Sequence, residues 1–155
     1  MSVDRAGAEE AIQQLLLQLE ELREAIRVVQ TRSLAISSEL QEIRIAYETL
    51  NSIQKLSQQD VFTSLDRNGY VFVKARLASI DEAIVRVGRE YYVSLPIDKA
   101  KGVLMEYEKE LADELREAEA ELKKLTELYN QIQKKMQEYV AVLQTGQRGG
   151  GAKQS

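Results

Sequence analysis

The sequence predicts a mainly α protein with a β insert: a long antiparallel coiled-coil hairpin whose two helices are joined by two β-hairpins. Three observations predict it. Apolar residues repeat at heptad spacing through two long stretches, one on each side of the chain's midpoint, and such a repeat keeps a narrow seam facing a partner helix. The strand-forming residues gather between those stretches, in 61–95, where β-branched and aromatic types favour a pleated surface. The two helical stretches are of nearly equal length, as a chain that runs out, turns through an insert and returns would need. The expected organisation is a single domain over 1–155, with a helix over about 9–59, hairpins over about 61–95, a helix over about 96–145 and a polar tail over 147–155.

Composition narrows the function classes. Of 155 residues, 30% are charged, with a net charge of −4, one proline and no tryptophan, histidine or cysteine. This suits long helices better than a thick core. Interspersed charges of both signs offer no basic face, so neither nucleic acid nor an anionic membrane is an expected partner. Without cysteine and histidine there is no disulfide framework, no thiolate or imidazole metal site and no imidazole base. No charged-then-apolar leader opens the chain, and no apolar run reaches the roughly 20 residues that span a bilayer. A soluble, cytoplasmic, non-enzymatic protein without cofactor is expected. The glycines at 149–151 lie in the tail with no Walker-type lysine, which argues against nucleotide use. The paired acids Glu9-Glu10, Glu20-Glu21 and Asp81-Glu82 lack a cleft to raise a pKa, so no catalytic residue is assigned.

The outgoing helix is justified by its seam: Ile12, Leu15, Leu19, Leu22, Ile26, Val29, Ser33, Ile36, Leu40, Ile43, Tyr47 and Leu50. Only Ser33 interrupts it. After Leu50 the spacing moves to Ile53 and Leu56, and Gln54 falls where an apolar group is due, so the seam is expected to slip there. At 1.5 Å per residue the helix would be about 75 Å long.

Four strands are expected in the insert, over 61–65, 70–78, 83–87 and 91–95. Asn68-Gly69 is a hairpin signal because both residues tolerate positive φ, and Gly88 with Arg89 and Glu90 forms a second turn. In the second strand Val71, Val73, Ala75 and Leu77 share one face, opposite Tyr70, Phe72, Lys74 and Arg76. Of Tyr91 and Tyr92, one is expected inside and the other outside. A two-helix coil is too thin to cover two hairpins, and isolated hairpins are marginal in water. Two readings follow: the insert pairs with hairpins of other chains, or it caps its own coil. The first makes Val61, Phe62, Val71, Phe72, Val73, Leu77, Val85, Val87, Tyr91 and Val93 the expected oligomer interface.

The return helix is justified by Pro96 at its first position, Asp98 in its first turn and a seam from Ile97 through Leu104, Leu111, Leu115, Ala118, Leu122, Leu125, Tyr129, Ile132 and Met136 to Tyr139 and Leu143. Gly146 is its expected stop, and the polar tail after it is expected to be disordered. Antiparallel helices place Ile12 near Leu143 at the end away from the insert. There the apolar content widens: Leu16 and Leu17 join Leu15, and Val140 and Val142 join Tyr139. These residues are either a contact surface or a fatter seam that seals a fraying end.

The order helix, two hairpins, helix resembles the prefoldin family, and within it the alpha-type subunits of archaea. The local resemblance rests on Asn68-Gly69-Tyr70-Val71, on Ala83-Ile84-Val85-Arg86-Val87-Gly88 leading to Tyr91-Tyr92-Val93, and on Ile97-Asp98-Lys99-Ala100. The chain departs from the family where Glu90 replaces a frequent second glycine and where 61–65 lacks a proline. The resemblance implies a hexamer of two alpha-type and four beta-type subunits, whose hairpins assemble into an oligomeric β-barrel with coiled-coil arms. It also implies an ATP-independent chaperone whose arm tips, here Ile12, Leu15, Leu16, Leu17, Tyr139, Val140, Val142 and Leu143, hold unfolded clients and pass them to a group II chaperonin. The rival is a non-catalytic coiled-coil spacer or scaffold that grips one folded partner.

Overall fold

Two long helices flank two small antiparallel hairpins, in the order α1 (Arg5–Gln54), β1 (Asp60–Ser64), β2 (Phe72–Arg76), β3 (Glu82–Arg86), β4 (Tyr92–Pro96) and α2 (Ile97–Gly151). The computed structural model describes residues 5–151 along the backbone and the side chains of 5–146. The heptad reading of the helices holds position by position. None of the twelve α1 seam residues from Ile12 to Leu50 is exposed, and Leu15, Leu19, Val29, Ile36 and Leu40 are buried. On α2, Ile97, Ala100 and Ala118 are buried and the remaining apolar seam residues are half-buried.

The helix ends differ from expectation for local reasons. α1 stops at Gln54 rather than near residue 59, because the Lys55 and Leu56 amides bond to the Ser52 and Ile53 carbonyls at 3.1 Å each. Those i to i+3 bonds tighten the last turn and release the chain towards β1. α2 begins at Ile97, with Pro96 closing β4 instead of opening the helix, and Asp98 lies in its first turn. The Ile97 amide, which has no helical acceptor, donates to the Asp81 carbonyl at 3.0 Å. At the other end α2 runs through Gly146 to Gly151, since Gly146 does not take the left-handed conformation of a helix stop. Of the tail expected to be disordered, residues 152–155 lie outside the described residues.

The chain divides into two units. In the unit Ile36–Glu114, the hairpins sit beside the helix segments that lead into and out of them. Arg44 Nε donates to Glu108 at 2.8 Å, and the Gln54 amide donates to Asp98 at 3.0 Å while accepting from Lys101 Nζ at 2.9 Å. Lys101 Nζ also stands 5.5 Å from the centre of the Tyr47 ring. Gln54 is exposed whereas Ile53 and Leu56 are half-buried, the pattern of the expected shift in the seam, and Gln54 bridges Asp98 and Lys101 at its edge. The other unit contains the described residues up to Ala35 and those from Leu115 onward, where Arg23 donates to the Tyr129 hydroxyl at 3.1 Å. From Arg44–Glu108 to Gln54–Asp98, each advance along α1 is matched residue for residue by a retreat along α2.

Each hairpin is a two-stranded sheet. In the first, Val61 faces Ala75 and Thr63 faces Val73, while Phe62 faces Lys74 and Ser64 faces Phe72. In the second, Ala83 faces Leu95 and Val85 faces Val93, while Ile84 faces Ser94 and Arg86 faces Tyr92. Among the described residues no helix is long and apolar enough to cross a membrane, and no group of three acidic, histidine or cysteine residues could hold a metal ion.

Candidate binding surfaces on the hairpins and at the coil end

The first hairpin owes its turn to Asp66. Its Oδ1 accepts from the Asn68 amide at 2.9 Å and the Tyr70 amide at 3.1 Å, and its Oδ2 accepts from the Val71 amide at 2.9 Å. Those donors, Tyr70 and Val71 foremost, hold the carboxyl below its ordinary value. Only Gly69 takes a positive φ, of 74°; Asn68 does not, so this is not the two-residue turn that Asn-Gly predicts. The loop instead closes where the Leu65 amide meets the Val71 carbonyl at 2.9 Å. Asp66 escaped the sequence reading, although an aspartate two residues before Asn-Gly is an Asx-turn signal.

Alternation along the paired strands sorts the expected interface residues. Val61, Val71, Val73 and Leu77 share one face of the first hairpin, and Phe62 and Phe72 lie on the other. The expected set is therefore not brought onto a single surface. Phe62 is 71% exposed, with Lys74 Nζ 5.8 Å from its ring centre. In the second hairpin Val85, Val87, Tyr91 and Val93 share a face. Val85, at 7% exposure, is already largely buried within its own chain and offers little surface beyond the groove it lines. Its cover comes from the helices: the Tyr107 hydroxyl of α2 donates to the Arg86 carbonyl at 2.7 Å and accepts from the Gly88 amide at 3.3 Å. Gly88 takes φ 109° at that turn. Tyr91 and Tyr92 are both exposed, because the pleat sends them to opposite faces and neither face is covered at that point.

At the coil end, the register set by Arg23–Tyr129 puts Ile12 level with Val140. The eight expected tip residues divide there into two sets. Leu15 is buried and Ile12, Tyr139 and Leu143 are half-buried in the seam, whereas Leu16, Leu17, Val140 and Val142 are exposed, Leu17 to 62%. The off-seam four are thus apolar groups left in water on one helical unit.

Comparison with known proteins gives the arrangement its relatives. A family model described as "Prefoldin subunit" matches residues 22–141. A prefoldin subunit alpha from Metallosphaera sedula is 31% identical over 122 residues, which cover 79% of this chain and 84% of that protein. One from Sulfurisphaera tokodaii is 27% identical over 141 residues, covering 91% and 92%. A chain from the cryo-EM structure of filamentous PFD from Methanocaldococcus jannaschii aligns with a TM-score of 0.42 and 19% identity, over 86% of this chain and 98% of that one. At that score the alignment adds nothing to the family match.

Proposed function

The chain belongs to the prefoldin family, and from that premise we propose that it is an alpha-type subunit of an ATP-independent chaperone that holds unfolded polypeptides at its coil end. The observation that carries this reading is the exposure of Leu16, Leu17, Val140 and Val142 beside a sealed seam. Each such group, buried against a client, contributes up to about 1.5–3 kcal/mol before ordering costs. Several modest apolar contacts make a reversible grip without sequence preference, which suits prevention of aggregation and release of the client to a group II chaperonin. The open hairpin edges and the apolar faces at Val61, Val71, Val73 and Val93 would be covered by beta-type subunits, in a hexamer of two alpha-type and four beta-type chains whose hairpins form a β-barrel.

The test replaces Leu16, Leu17, Val140 and Val142 together by glutamine and follows light scattering as a denatured client is diluted into the assembled complex. Aggregation suppression should fall several-fold while the mass of the complex stays unchanged. Unaltered suppression in an intact complex overturns the tip assignment. Saturable binding to one folded protein, with none to unfolded chains, would make the molecule a spacer.

A further inference from the structure

The unit Ile36–Glu114 also carries a groove that neither hairpin pairing nor the coil end uses. About 420 Å³ in volume, it lies between the second hairpin and the two helices, with a floor of Ile43, Val85, Leu104 and Leu111. Glu39, Glu110 and Glu114 stand along its helical side. On the hairpin side are Arg86 and Arg89, and Arg86 Nε is committed to the Gly88 carbonyl at 2.8 Å. An apolar floor beside an excess of carboxylates fits an apolar group with a cation next to it.

The turn of the first hairpin presents that pair of groups. Tyr70 is 83% exposed, and Arg67, in the same turn, is exposed too. The Asp66 carboxylate ties the Asn68, Tyr70 and Val71 amides together, so the knob is ordered before it meets anything and little entropy is lost on docking. We propose that the groove receives the Arg67–Tyr70 turn of a second copy of this chain, with the phenol ring on the apolar floor and the guanidinium against Glu110 and Glu114. Every copy carries both knob and groove, so a two-fold pair makes the contact twice. An aromatic ring buries only about 150–250 Å², well short of the ~1,200 Å² of a stable interface. The contact therefore orients two copies whose hairpins supply the remaining area. It does not depend on client holding and is tested without a client.

The chain has no cysteine, so single introduced thiols report unambiguous neighbours. R67C chains are mixed with E110C chains and treated with a short bismaleimide, beside a control mixture of R67C with E48C. The expected result is a cross-linked dimer from the first mixture only. In parallel, R67E chains and E110K/E114K chains should each self-associate about tenfold more weakly than the unaltered chain, and mixing the two should restore association, because the reversed charges attract again. Equal cross-linking in both mixtures, or weakened association that mixing fails to restore, overturns the proposal. Circular dichroism verifies the helices of each variant, and R67Q with E110Q replaces any pair that misfolds.

Discussion

Ser33 is the one seam residue of α1 whose side chain gains nothing from its position. Its hydroxyl is buried without a hydrogen-bond partner among the described residues, and a buried donor without an acceptor costs about 1–3 kcal/mol. Ser33→Ala removes that group and improves helix propensity, so the variant should be about 1 kcal/mol more stable, seen as a higher thermal midpoint. Asp66 is the opposite case, a polar group whose every oxygen is used. Its carboxyl is held below the ordinary value of 3.8 by amide donors. A group with a depressed folded-state value stabilises the fold at pH above its unfolded value, and that contribution is lost as pH falls through the folded value. The first turn should therefore stay intact at neutral pH and loosen only below about 3.8. In NMR spectra the Tyr70 and Val71 amides should shift with a midpoint below that pH, and Asp66→Asn should abolish the titration.

At the scale of elements, the second hairpin is joined to α2 through the Tyr107 hydroxyl, which holds the chain at Arg86 and Gly88 as it leaves β3 for the turn. Tyr107→Phe keeps the ring and removes both bonds. The expected cost is about 1 kcal/mol, confined to the hairpin. Hydrogen exchange should quicken at the Gly88 amide while seam amides near Leu111 keep their protection. The sequence discloses the helices well and the joints poorly, and the two outcomes have different physical origins. A heptad repeat is a statement about helix geometry, so Leu15, Leu40 and Ala118 could be assigned to the seam without knowing where the chain goes. Strand alternation likewise separates Val71 from Phe72. Tyr107, Asp66 and Gln54 act through bonds to backbone or side chains that only the folded path brings near, and no periodicity reports them. Val85 reads as interface from its strand, yet it is covered by its own helices. The exposed tip residues Leu16, Leu17, Val140 and Val142 were legible because they break the seam, whereas the groove above Ile43 and Leu104 had no sequence signal.

At the scale of the whole molecule, the core is narrow. Buried apolar side chains are strung along the seam and the hairpin roots, while large apolar groups such as Phe62, Phe72, Ile84 and Tyr92 face solvent. Stability should then depend on neighbours: the thermal midpoint of the chain alone should rise with its own concentration, and rise further when beta-type subunits are added, by mass action. A midpoint indifferent to both would show that the exposed faces need no cover. The matched register of α1 and α2 has a further consequence for evolution and for engineering. Because each step along one helix answers a step along the other, a heptad removed from both leaves Gln54 opposite Asp98 and keeps the seam in phase, but shortens the arm by about 10 Å. A heptad removed from one helix alone breaks every later pairing. Arm length is thus a dimension this fold can change freely, provided it changes on both strands of the ruler at once.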